Sequence, residues 1–142
     1  MSRSTRLSTA AHILFFLEKN PGKRVKIDDI AKTTRIHPSR LRQICSLLVQ
    51  RGLVRSFKGA RGGIEAHPAA KKVNFYELAQ CVDDTNFFTL TLHEPEPSSK
   101  LGVSIVANLT KYFKDCEKQV IYFMKNTKVL DMIPDTPMPV AK

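Results

Sequence analysis

Apolar residues recur at helical spacing from the start of the chain. Leu7, Ala10, Ala11, Leu14 and Leu17 make one face, with Ser8 or Thr9 placed to cap its start. Asn20-Pro21-Gly22 stops that helix, and Val25 and Ile27 form a short extended piece. Asp28-Asp29 then puts two carboxylates on the first turn of a second, short helix, where they complement its dipole. Ile30 and Ala31 supply its apolar contacts, and it ends near Thr34-Arg35. His37-Pro38 opens a third helix, with His37 at the N-cap; Pro at the first helical position forfeits no hydrogen bond. Leu41, Ile44, Cys45 and Leu48 fall at i, i+3, i+4 and i+7, one narrow stripe to bury. Ser39, Gln43, Ser46 and Gln50 lie opposite, Arg40 and Arg42 on the flanks, and Gly52 stands where a C′ glycine belongs.

Two short β-type runs follow, Leu53 to Phe57 and Ile64 to Ala66, around the basic glycine-rich loop Lys58-Gly59-Ala60-Arg61-Gly62-Gly63. A short helix, a tight turn, a second helix with a polar and basic outer face, and then a hairpin make a helix-turn-helix with a wing. Val73, Phe75, Leu78, Ala79 and Val82 predict a further helix over 73–83 that closes this unit. Residues 84–99 read as loop, including His93-Glu94-Pro95-Glu96-Pro97. Beyond them Val106, Leu109, Phe113, Cys116, Val120 and Phe123 are spaced 3, 4, 3, 4, 3, a heptad seam of the kind that pairs with another helix. The expected class is mainly α with a small β wing. Its divisions are a winged helix-turn-helix domain over 1–83, a linker over 84–100, a dimerisation helix over 101–130 and a disordered tail over 131–142.

Charge narrows the partner. The 142 residues carry a net +10, but residues 1–72 hold +12 and residues 73–142 hold −2. A localised excess of this size suits an anionic polymer, because each phosphate contact releases condensed counterions. A membrane surface would prefer an amphipathic helix with Lys or Arg along one whole face, and none is evident; nor does any apolar run approach the roughly 20 residues of a spanning helix. The first 15 residues lack a secretory h-region, and three widely spaced Cys suit a reducing cytoplasm rather than a disulfide framework. Catalysis has no GxSxG, HExxH or P-loop to rest on, and His12, His37, His67 and His93 show no metal-ligand spacing. No metal, cofactor or enzymatic activity is expected.

Taken together, Arg6-Leu7-Ser8, Ile30-Ala31, Ile36-His37-Pro38-Ser39, Leu41 to Ile44, Gly52-Leu53-Val54 and Gly59-x-x-Gly62-Gly63 resemble the Rrf family of bacterial winged-helix regulators. The later part, with Phe87-Phe88-Thr89-Leu90, His93-x-Pro95-x-Pro97, Gly102, Ile105 and Thr127-x-x-x-Asp131, is similar to its YwnA-type branch. The resemblance implies a homodimeric regulator of transcription, usually a repressor, that reads an imperfect palindrome in double-stranded DNA. It places Ser39, Arg40 and Gln43 toward base edges or phosphates, Lys58 at a minor groove with Arg61 as a second candidate, and Ser8 near phosphate; Arg42, on the flank of the same helix, is a further DNA-binding candidate. Gln pairs bidentately with adenine and Arg with guanine, while a basic wing exploits the negative potential of a narrow minor groove.

Two departures from the family stand out. Members with an iron–sulfur cluster draw three Cys from the linker, whereas residues 84–115 here contain none, and Ala66-His67-Pro68 replaces the usual Leu-Ala-Arg after the wing. Cys45, Cys81 and Cys116 read as small buried hydrophobes. A sharper reading gives Cys116 a redox role, pairing with its dimer mate should the Cα atoms approach within roughly 7 Å. Two alternatives remain beside the DNA reading: a protein-interaction adaptor built on the same fold, and a sensor whose small effector sits near Phe87, Phe88 and His93.

Overall fold

In the computed structural model, residues 4–88 and 94–137 are described. In chain order the elements are α1 (Arg6–Glu18), α2 (Ile27–Thr34), α3 (Pro38–Gln50), β1 (Val54–Phe57) and β2 (Gly63–Ala66). A 3-10 turn (Pro68–Lys71), α4 (Phe75–Cys81), α5 (Lys100–Lys125) and a last 3-10 turn (Val129–Met132) follow. One core joins them: Ile13, Leu14 and Leu17 of α1 meet Ile30 of α2, Leu41, Ile44 and Leu48 of α3, and Val54 and Ile64 of the hairpin. Each such side chain contributes roughly 1.5–3 kcal/mol by leaving water, which is why the periodic apolar stripes decide the packing.

The turns between helices form for local reasons. Arg35 ends α2 in the left-handed region at φ 60°. At the end of α3, Gly52 (φ +74°) donates to the Val49 carbonyl at 3.0 Å and Leu53 donates to the Leu48 carbonyl at 3.0 Å. That pair of bonds is the Schellman closure, which satisfies carbonyls the helix leaves open and points the chain into β1. The hairpin is antiparallel, with Val54 opposite Ala66 and Phe57 opposite Gly63. Val25 lengthens it on one side, exchanging two 2.8 Å hydrogen bonds with Ile64.

Several expectations are corrected. α1 starts a residue before Leu7, with Thr5 at the N-cap and no side-chain cap of its own, so neither Ser8 nor Thr9 caps it. Ser8 instead donates its hydroxyl to the Thr5 carbonyl at 3.0 Å, and Thr9 is buried. The open Leu7 N–H is met from 77 residues away by Asp84, whose Oδ2 accepts at 3.1 Å. The helix expected over 73–83 is α4 alone, begun by a capping box between Asn74 and Glu77. Before it, Pro68–Lys71 forms a 3-10 turn that periodicity did not suggest.

The long helix ends at Lys125 rather than 130. Asn126 donates its side chain back to the Tyr122 carbonyl at 2.7 Å, and the chain reverses. Phe75 N–H then donates to the Thr127 carbonyl at 3.1 Å, and Val129 N–H donates to the Val73 carbonyl at 3.0 Å. Val129 is fully buried in the core, and Asp131 and Met132, expected in a tail, belong to the last 3-10 turn. The winged unit is therefore completed by residues that follow the long helix.

Candidate DNA interface

The candidate interface is built on α3. His37 takes an extended conformation at the N-cap, and its Nδ1 accepts from the Ser39 N–H at 3.1 Å and lies 2.8 Å from the Ser39 hydroxyl. This cap fixes where the helix begins and holds Ser39 in its first turn. Leu41, Ile44, Cys45 and Leu48 face the core, so Ser39, Gln43, Ser46 and Gln50 face outward and are exposed. The flanking arginines are held differently. Arg40 donates from Nη2 to the Thr5 hydroxyl at 2.7 Å, tying α3 to the start of α1. Arg42 pairs with Asp28 of α2 at 3.7 Å, with side chains 61% and 69% exposed. Exposed pairs of this kind are worth only about 0–1 kcal/mol, so a phosphate can take Arg42 over at little loss.

The wing tip needs its glycines. Gly59 has φ +92°, and a Cβ on Gly62 would stand 2.4 Å from the Phe57 carbonyl oxygen. Only glycine permits that approach, and the resulting tight loop leaves Lys58 and Arg61 exposed. Sequence reasoning missed the residue that braces this loop. The Arg24 guanidinium lies 3.6 Å above the Phe57 ring centroid, and its Nη1 donates to the Arg61 carbonyl at 3.1 Å. Arg24 belongs to no periodic pattern, and the separation of 37 residues from Arg61 hides the contact. Thr5 was missed for the same reason.

Two open clefts flank α3. One, about 650 Å³, lies between α3 and the wing and includes Arg42, Cys45, Ser46, Phe57 and Gly62. The other, about 1270 Å³, brings Ser8 and Arg40 together with Arg6, His12, Phe75, Asp84, Phe87 and Met132. The effector residues proposed from sequence thus separate. Phe87 lines this second cleft, Phe88 stacks on Phe113 of α5 with centroids 5.7 Å apart, and His93 lies outside the described residues.

The cysteines are spread over three helices. Cys45 is in the core on α3, and burial pushes its thiol from the ordinary 9.0 up to about 12. Cys81 donates its thiol to the Leu47 carbonyl at 3.4 Å and is raised by burial. Cys116 stands on α5, where its hydrogen bond pushes the Tyr112 phenol up. The three thiols thus stand on three elements, α3, α4 and α5, and two of them are raised by burial. Among the described residues, no three His, Cys, Asp or Glu side chains are grouped to hold a metal ion.

On α5 the heptad positions divide. Val106, Phe113, Cys116 and Val120 are half-buried against the chain itself, whereas Leu109 and Phe123 are 44% and 73% exposed. Leu101, Ile105 and Tyr112 are exposed on the same side as those two. No residue of α5 is buried, and among the described residues no helix is long and apolar enough to cross a membrane.

A helix-turn-helix with an outward polar helix beside a basic, glycine-rich wing defines a winged-helix DNA-binding protein. The comparisons with known proteins give the family. The model for Rrf2, described as iron-dependent transcriptional regulator, matches residues 3–135, and the chain belongs to that family. It is 27% identical over 120 residues to a protein of Aquifex aeolicus (strain VF5) named as an HTH-type transcriptional regulator, covering 84% of this chain and 83% of that one. Among solved structures it is similar to CymR (YrzC), the global cysteine regulator of B. subtilis, at 21% identity and TM-score 0.62, covering 96% and 98% of the two chains. IscR of T. potens gives 17% identity and TM-score 0.67, over 93% and 85%. The family is one of transcriptional regulators, not enzymes.

Proposed function

We propose that this DNA-binding regulator is a cytoplasmic homodimer that represses transcription by occupying an imperfect palindrome, and that it does so without an iron–sulfur cluster. The observation that carries the reading is the placement of exposed Ser39, Gln43, Lys58 and Arg61 on α3 and the wing, within a half of the chain carrying +12. In each protomer α3 enters a major groove, with Ser39, Arg40 and Gln43 nearest the bases and Arg42 at phosphate. Lys58 and Arg61 reach the flanking minor groove, and Ser8 lies along the backbone. Half-sites then stand about one helical turn, or a multiple of it, apart.

The dimer is supported by the exposed apolar side of α5, which bears Leu101, Ile105, Leu109, Tyr112 and Phe123. Val106, Phe113 and Val120 lie at its margin and half-buried Cys116 falls within it, between Ile105 and Leu109 around the helix, so a disulfide through Cys116 requires the two helices to cross there. The absence of a cluster is supported by the donor set: no Cys in 84–115, and three thiols on separate elements. A second reading is favoured by the cleft at Ser8, Arg40 and Phe87, a place for a small effector that would act on DNA binding.

The test is binding of the full-length protein to a duplex that it selects from a random library. Affinity should fall by on the order of 10³ between about 50 and 200 mM salt, and Arg40→Ala/Lys58→Ala should abolish most of it. Salt-insensitive binding, or a double variant with intact affinity, refutes this interface and favours the adaptor.

A further inference from the structure

The wing is a two-stranded hairpin, and its tip, from Lys58 to Gly62, carries no apolar side chain larger than alanine. A two-stranded hairpin is marginal by itself, so something must hold this one still if its side chains are to meet a groove in one pose. Two contacts from the segment before α2 do this. The backbone of Val25 pairs with Ile64 through two 2.8 Å bonds, bracing the return strand where it leaves the tip. A Cβ on Gly63 would stand 2.8 Å from the Val25 carbonyl oxygen, so glycine there lets the two backbones meet.

The tip is held by Arg24. Its guanidinium covers the Phe57 ring at 3.6 Å and donates to the Arg61 carbonyl at 3.1 Å. One planar cation therefore spans the last residue of β1 and the far side of the loop, between which Lys58 and Arg61 project. Phe57 stands opposite Gly63 in the register, so no cross-strand side chain competes for its ring. Arginine suits the task, since its plane stacks while its edge donates; lysine has no such edge.

We propose that Arg24 is a positioning residue: through Phe57 and the Arg61 carbonyl it holds the wing tip in the pose that delivers Lys58 and Arg61 to the minor groove, and so sets sequence preference at the operator flanks. The proposal rests on the reading of the wing as a DNA contact. A braced tip loses less freedom on binding than a loose one, so the brace appears as affinity and as sharpness of flanking recognition. A direct phosphate contact by Arg24 would instead appear in the salt dependence.

The experiment uses the full-length protein and the duplex that the wild type selects. Arg24→Gln, Phe57→Leu and their double variant are compared with Lys58→Ala/Arg61→Ala by anisotropy titration over a salt series and by hydroxyl-radical footprinting. Arg24→Gln and Phe57→Leu should each weaken binding about three- to ten-fold, as expected for an exposed cation–π contact with its hydrogen bond. The double variant should be no weaker than the stronger single one, since both break one brace. The salt slope should stay unchanged, and protection should fade at the flanks while the centre stays protected. A slope lowered by about one for Arg24→Gln, with effects that multiply in the double variant, would make Arg24 a phosphate contact and overturn the proposal. Loss of central and flanking protection together would reduce it to general stability, and wild-type binding by Arg24→Gln would remove it altogether. If Lys58→Ala/Arg61→Ala binds as the wild type does, the wing reading itself falls, whatever Arg24 does.

Discussion

Val129 lies four residues beyond Lys125, the end of α5, and is fully buried in the winged core, so Val129→Ala tests whether that core is closed from the far side of the long helix. The substitution removes two methyl groups from a site with no exposure. At about 0.8 kcal/mol per buried methyl-sized group, and with a cavity contribution because the Val73–Val129 backbone bond holds the chain in place, the loss is about 2 kcal/mol. With an unfolding entropy of about 2.1 cal/mol/K per residue, that loss lowers Tm by about 7 °C for a chain of this length. The assay is urea and thermal unfolding at one fixed protomer concentration, since association also stabilises. Met132→Ala serves as control, because Met132 is 59% exposed and should change stability by less than about 0.5 kcal/mol. A Val129→Ala midpoint matching that control, at unchanged m, would refute the docking of the return segment.

Other outcomes are as specific. His37→Ala should destabilise the start of α3 by about 0.5–2 kcal/mol while His37→Asn retains most of the cap, read by urea midpoints. Asp84→Ala, which strips the Leu7 N–H of its acceptor, should speed hydrogen exchange at the first turn of α1, and an unchanged rate there would discount the clasp. Cys45 links stability to alkaline pH. Burial raises its thiol from 9.0 to about 12, so the folded chain keeps a proton that the unfolded chain releases above pH 9. Its contribution is full below the unfolded value and is lost as pH rises toward the folded one, at up to about 1.4 kcal/mol per pH unit, and Cys45→Ala should flatten that decline. For the same reason Cys45 should resist alkylation in the native state at neutral pH.

Features that depend on neighbours within about one helical turn were legible. The Leu41, Ile44, Cys45, Leu48 stripe names its own buried face, the His37-Pro38 pair marks a helix start, and Gly52 marks the end. The loop glycines 59, 62 and 63 likewise announce a tight hairpin. What was missed depends on meetings between distant segments. Asp84 capping α1 is a carboxylate on a helix N-terminus, ordinary chemistry with no local trace across 77 residues. Val129 opens a short apolar run with Leu130, Met132 and Ile133 after a reversal, too short to carry a period that names its buried member. The heptad of α5 was visible, yet spacing records only that a face is apolar. It does not tell whether a cover such as Phe88 over Phe113 comes from the same chain or another.

The two missed joints bear on how a dimer of this kind would read DNA. Asp84 joins the start of the linker to α1, and α5 is tied to the winged unit after its last turn, through Thr127 and Val129. A helix whose C-terminal end is docked on one body in this way moves with that body. In the proposed dimer, a shift of one α5 against its mate is therefore carried to α3 and not absorbed by the linker. The first joint also runs close to the reader, since the helix that Asp84 caps begins at Thr5, the residue that holds Arg40. A ligand in the cleft lined by Phe87, Asp84 and Arg40 would touch the linker and the reader at once. Lengthening the 94–98 loop with Gly and Ser should consequently leave half-site spacing preference intact while Val129 stays docked, and combining the insertion with Val129→Ala should broaden it. Broadening by the insertion alone would show that the C-terminal joint does not constrain the head.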